Sequence, residues 1–174
     1  MRRLSRELRT SPMAPYWYIS DKAELLDLVA TKLLAEVNLP SSESGSWDER
    51  LRAVLWDIDA RLHDHPGLAT VLLERMRRTD QRVMNGIFDI LLSAGFQGAE
   101  VLLAYAMIHT YLFGRYHVVE LSDPTEQPGD GETVARLLPH MHDLHGRDFF
   151  AYGVDTVIRG LRDRLEERAS KSPR

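Results

Sequence analysis

Four arginines, Arg2, Arg3, Arg6 and Arg9, stand just ahead of Tyr16, Trp17 and Tyr18, and Lys22 follows. Guanidinium groups bind phosphate oxygens and the acceptor edge of guanine, and aromatic and lysine side chains grip a sugar–phosphate backbone. A second set is Tyr105 and His109, four residues apart in an otherwise apolar stretch, a spacing that puts two polar groups on one helix face. A third is His140, His142 and His145, a His-x-His-x-x-His cluster beside Asp143 whose donors could take zinc or nickel. The run His63-Asp64-His65 reads as a helix C-terminus, where imidazole complements the dipole. The sequence has no cysteine, which excludes disulfides, thiolate zinc sites and cysteine nucleophiles. It also lacks a glycine-rich phosphate loop, a nucleophile elbow and a His-Glu-x-x-His pair. No enzyme activity and no cofactor are expected.

The elements that must carry these groups are helical throughout. Among 174 residues, 44% hydrophobic, no period-two pattern and no internal repeat occurs, so the fold class is all-α. No apolar run reaches membrane-spanning length and the basic opening lacks a secretory h-region, which implies a cytoplasmic protein with no membrane partner. Leu4 and Leu8 mark a short helix, and Ser11-Pro12 starts a second. Ser20 and Glu24 bracket the first turn of a third helix that is expected to run to about Val37. The stretch Leu39 to Ser46 is rich in turn formers and divides a head, residues 1–38, from a body, residues 47–168. Body helices are expected from Trp47 to the His65-Pro66-Gly67 stop, from Leu68 to Met76, and from Asp80 to Ala94 with Gly95 as the stop. A long helix over 99–121 and a last helix over 148–168 follow, separated by a Pro- and Gly-rich excursion that reads as a solvated loop holding the histidine cluster. Residues 1–22 carry five basic and two acidic side chains, +3, while the whole chain is −4, so the remainder sums to −7. A basic head on an acidic body directs a polyanion to the head and repels it from the rest.

Two short helices across a three-residue turn, arginines on the first and aromatics on the second, fit a helix-turn-helix. The segment from Arg2-Arg3-Leu4 through Tyr16-Trp17-Tyr18 to Lys22-Ala23-Glu24-Leu25-Leu26 resembles the TetR-family signature, with the Tyr-Trp pair, Lys22 and Leu25-Leu26 as its specific part. The resemblance continues through the 51–66 helix, Ala94-Gly95-Phe96, Phe113-Gly114 and Phe149 to Leu161, which look like the tetracycline-repressor ligand-binding domain. It implies that Arg2 reads a base or phosphate, that Pro12, Met13 and Ala14 face base edges, and that Tyr16, Trp17, Tyr18 and Lys22 hold the backbone of double-stranded operator DNA. The family usually has Gly where Arg9 stands, Leu where Pro15 stands and His where Tyr18 stands. It also has a helix ahead of this motif. Without such a helix, Leu4, Leu8 and Ile19 are expected to lack a packing partner.

The long and last helices resemble the pair that forms a four-helix bundle with a second subunit. Ile108, Tyr111, Leu112, Val154, Val157, Ile158 and Leu161 are expected at that homodimer interface, with Gly114 and Gly160 allowing close approach. A small-molecule effector is expected among Val54, Ile58, Met84, Ile87, Phe88, Leu102, Tyr105 and His109, the last two orienting it. Tetracycline repressors hold a metal–drug complex with polar side chains, whereas Val54, Leu72 and Ile87 stand near the matching positions here, so a more apolar ligand is expected. The function implied is a ligand-released repressor. The alternative is a dimeric helical small-molecule-binding protein without DNA binding.

Overall fold

The computed structural model describes residues 6–7, 9, 19–74, 81–121, 133, 136 and 146–171. Among these there are six long helices and no strand: α1 (Lys22–Ala35), α2 (Trp47–His63), α3 (Pro66–Glu74), α4 (Gln81–Ala94), α5 (Ala99–Leu121) and α6 (Gly146–Lys171). The His140, His142 and His145 cluster lies outside the described residues, as do Leu4 and Leu8.

Local chemistry sets the helix ends. At α1 the cap is Asp21, whose Oδ1 accepts the Glu24 backbone N–H at 2.8 Å. Glu24 reaches back and accepts from both the backbone and the hydroxyl of Ser20, each at 2.6 Å, so the Ser20–Glu24 pair brackets the turn one residue outside the cap. The helix stops at Ala35, two residues short of the expected Val37, because the chain turns there with Val37 N–H donating to Leu34 O. Before α2, the backbone and hydroxyl of Ser46 both donate to Glu49 Oε2 at 2.8 Å. Pro66 opens α3, where its missing N–H costs nothing. Gly95 ends α4 at φ +106, a conformation that a side chain would strain. Arg9 also sits in the left-handed region, at φ +52, after its N–H donates to Arg6 O. That is the position where the family usually has glycine, the residue for which this conformation carries no Cβ penalty.

α5 is the central element, packed against α3, α4 and α6, while α2 packs against α3, α4 and α6, and α1 docks on α3 and α4. One continuous core results, in which Leu34, Leu51, Ile58, Leu62, Leu91, Ile108, Leu112, Phe150 and Ile158 are almost fully buried. At about 1.5–3 kcal/mol per buried large apolar side chain, this core dominates the favourable side of folding. Ile19, expected to lack a partner, is only 6% exposed. α5 and α6 approach closely at Gly153, where a Cβ would collide with the Tyr111 ring. Tyr111 lies across that glycine and donates from its hydroxyl to the Phe149 and Phe150 carbonyls.

Candidate functional site

Below the docked end of α1, the core encloses a cavity lined by Leu34 of α1, Ile58 of α2, Val83 and Ile87 of α4, and Tyr105, Ile108, His109, Leu112 and Phe113 of α5. Its volume is about 10 Å³, close to one water-sized sphere. The lining is apolar except for Tyr105 and His109. Four rings run through this region in edge-to-face or tilted contact. Phe88 meets Tyr105 at 5.0 Å, Tyr105 meets His109 at 5.8 Å, and His109 meets Phe113 at 4.7 Å between centroids. Spacing of four along α5 puts the last three rings on one face.

His109 is 2% exposed. Burial pushes the imidazole down from 6.5 to about 4, outweighing the raising effect of the Leu72 backbone, so it is neutral at physiological pH. Its Nε2 is buried without a hydrogen-bond partner. Burial likewise pushes the Tyr105 phenol up to about 12, keeping it protonated.

The cavity touches the path back to the head. Arg82, second residue of α4, donates from one terminal nitrogen to the Leu34, Ala35 and Val37 carbonyls at 3.1, 2.9 and 2.6 Å. Those carbonyls form the negative end of the α1 dipole, so the guanidinium serves as its cap. Leu34 lines the cavity from the same turn, and Val83 beside Arg82 lines it from α4. Arg61 of α2 pairs with Glu36 at 2.9 Å and with Asp57 at 3.4 Å, and Asp57 also accepts the Asn38 N–H at 2.6 Å. The end of α1 is thus held by polar contacts from two body helices.

The expected site residues are distributed as follows. Ile58, Ile87, Tyr105 and His109 line the cavity, and Phe88 joins through its contact with Tyr105. Val54 is buried in the core and Met84 half-buried against it, neither in the lining. Leu102 is 59% exposed, because its place on α5 turns it outward, away from the cavity. Of the residues expected between subunits, Ile108, Leu112, Val154, Ile158 and Leu161 are buried in this chain's own core. Tyr111 and Val157 are half-buried, Tyr111 on Gly153. Nothing within 4 Å approaches a Cβ built at Gly114 or Gly160. Among the described residues, large apolar side chains exposed on α5 and α6 are Leu102, Leu103, Met107, Phe149 and Tyr152, with Leu28, Val29 and Leu92 exposed on α1 and α4. Arg2, Pro12, Met13, Ala14, Tyr16, Trp17 and Tyr18 fall outside the described residues, and of Lys22 only the backbone, opening α1, is described. Among the described residues, no helix is long and apolar enough to cross a membrane.

Residues 39–165 match the family described as tetracyclin repressor-like, C-terminal domain. The chain belongs to the TetR family. An HTH-type transcriptional regulator of Saccharopolyspora erythraea is 30% identical over 140 residues, covering 79% of this chain and 59% of that protein, so the chain spans about three-fifths of that relative's length. The HTH-type transcriptional repressor DrrR1 of Streptomyces coeruleorubidus is 29% identical, over 99% of this chain and 73% of that protein. These relatives are transcriptional regulators rather than enzymes. The Streptomyces coelicolor TetR family protein ActR, solved in complex with actinorhodin, superposes with TM-score 0.77 at 21% identity, covering 95% of this chain and 87% of that one. That likeness shows the TetR fold.

Proposed function

We propose that this chain is a ligand-responsive repressor that binds operator DNA as a homodimer and is released when a small, fairly apolar molecule enters the cavity. The carrying observation is that Leu34 lines the cavity from the helical turn whose carbonyls Arg82 ties to α4. A drug-sized molecule needs a pocket of roughly 300–1,000 Å³, so entering this one must part its walls. Parting Leu34 from Val83 moves the end of α1 relative to α4, and α1 leads back to the head. Relatives described as HTH-type regulator and repressor support this reading, as does the ActR–actinorhodin complex.

In this reading, Arg2 contacts guanine or phosphate, Pro12, Met13 and Ala14 face bases, and Tyr16, Trp17, Tyr18 and Lys22 hold the backbone. A second copy covers Leu103, Met107, Phe149 and Tyr152, exposed large apolar side chains on two neighbouring helices. The protein acts in the cytoplasm, where its operator is.

Fluorescence anisotropy with the DNA upstream of its own gene tests the reading. Affinity should fall steeply with salt. A bound effector should release the DNA, and Arg82→Ala should still bind both while releasing less. Tightening of the complex by effector would reverse the release, and ligand binding without DNA binding at any salt would favour a helical small-molecule-binding protein. Met107→Glu with Tyr152→Glu should shift the sedimentation coefficient to that of a monomer.

A further inference from the structure

We propose that the cavity selects a neutral, flat aromatic molecule bearing a hydroxyl or N–H group, and that this group donates a hydrogen bond to His109 Nε2. The inference rests on the ligand-responsive reading above and names the class of its ligand. A buried polar nitrogen without a partner is costly, and a folded chain seldom keeps one without a use for it. His109 Nε2 is such an atom, on a residue that lines the cavity and is 2% exposed. In this proposal the single ring proton sits on Nδ1, the nitrogen left for the Leu72 backbone that raises the imidazole, so that Nε2 accepts. The complementary group must therefore donate, which selects alcohols, phenols and N–H compounds over ethers and ketones.

Charge is excluded by the rest of the wall. The lining carries no Lys, Arg, Asp or Glu. A carboxylate or ammonium entering it would lose its water without gaining a counter-ion. His109 cannot supply one to an anion at neutral pH, because burial holds it uncharged down to about 4.

Shape follows from the rings. A cavity of about 10 Å³ must open to admit anything larger than water. A planar ring system asks for the smallest separation of the walls, and it gains edge and offset contacts with Phe88, Tyr105 and Phe113 as they part. The protonated Tyr105 hydroxyl, four residues from His109, can meet a second polar atom on the same edge of the molecule.

Isothermal calorimetry on the full chain with three probes tests the proposal. 2-Naphthol should bind about 5- to 10-fold more tightly than 2-methoxynaphthalene, the worth of one hydrogen bond of about 1–1.5 kcal/mol. 2-Naphthoate should bind more weakly than either. In His109→Phe the first two should fall within about twofold of each other while 2-methoxynaphthalene keeps its affinity. The Nε2 nitrogen resonance of His109 should move with 2-naphthol and stay with its methyl ether. Should His109→Phe fail to fold by circular dichroism, the wild-type ranking and the Nε2 resonance decide by themselves. Equal affinity for 2-naphthol and its ether, tighter binding of 2-naphthoate, or no binding of 2-naphthol at millimolar concentration overturns the proposal. If the ranking holds and 2-naphthol leaves the DNA complex intact, the ligand class stands and the repressor reading fails. If an anionic compound releases DNA while 2-naphthol shows no preference, the repressor reading stands and the ligand class fails.

Discussion

Arg115 and His109 both lie inward on α5, less than two turns apart, and their surroundings differ in kind. Arg115 pairs with Asp59 of α2, and Asp59 also accepts the Tyr116 hydroxyl at 2.6 Å. The guanidinium lies 4.2 Å from the Tyr116 ring centre and 4.5 Å from that of Phe150, and Phe150 meets Trp56 edge-on at 4.7 Å. Although Arg115 Nε has no partner, the charge is neutralised and its faces are covered. His109 is neutral, lines the apolar cavity and leaves its Nε2 without a partner. The first group joins α2, α5 and α6; the second joins nothing across the cavity. A buried polar group with its charge matched holds elements together, and one left with an unpartnered nitrogen is available to something that enters.

Removing the charge partner should do the most damage. Asp59→Ala leaves Arg115 buried and uncompensated, and a loss of about 3–5 kcal/mol is expected in urea unfolding. A loss below 1 kcal/mol would mean that the cluster does not hold α2 to α5. Next is acid. His109 has a folded value of about 4 and an ordinary value of 6.5, so below pH 6.5 the unfolded chain takes up the proton first. The stability from keeping His109 neutral is whole above about pH 6.5, declines as pH falls, and is gone near pH 4. That difference amounts to about 3 kcal/mol, and the pH profile of His109→Phe should be flatter than wild type by this amount. Identical profiles would show that His109 is not buried as described. The smallest effect is expected at Tyr116→Phe, which removes a hydroxyl donor from Asp59 and leaves the ion pair. It should cost about 1 kcal/mol by the same measurement. A cost equal to that of Asp59→Ala would make the hydroxyl, not the charge pair, the centre of the cluster.

Much of this molecule is legible in its sequence. The start of α2 follows from Ser46 and Glu49, the stop of α4 from Gly95, and the span of α5 from its apolar run. Tyr105 and His109 are found together because four-residue spacing is a local fact about one helix. What helix spacing cannot say is who covers a buried face. Ile108, Leu112, Val154 and Ile158 lie in this chain's own core, while Leu103, Met107, Phe149 and Tyr152, with equally helical spacing, face outward. Leu34 and Val83 join the cavity through contacts between distant segments, invisible to any local pattern. Arg82 did leave a sign. A cation in the first turn of a helix opposes that helix's own dipole, and such a placement points to an anionic partner elsewhere, here the carbonyl end of α1.

The contact of Tyr111 with Gly153 has a consequence for how this sequence can vary. With the Tyr111 ring where a Cβ at 153 would stand, neither position can enlarge without the other shifting. Natural variants with alanine or serine at 153 should carry a smaller side chain at 111, and a chain that keeps tyrosine at 111 should keep glycine opposite. The two positions should be inherited as a pair, and a large set of sequences in which they drift separately would show that α5 and α6 can meet at another register.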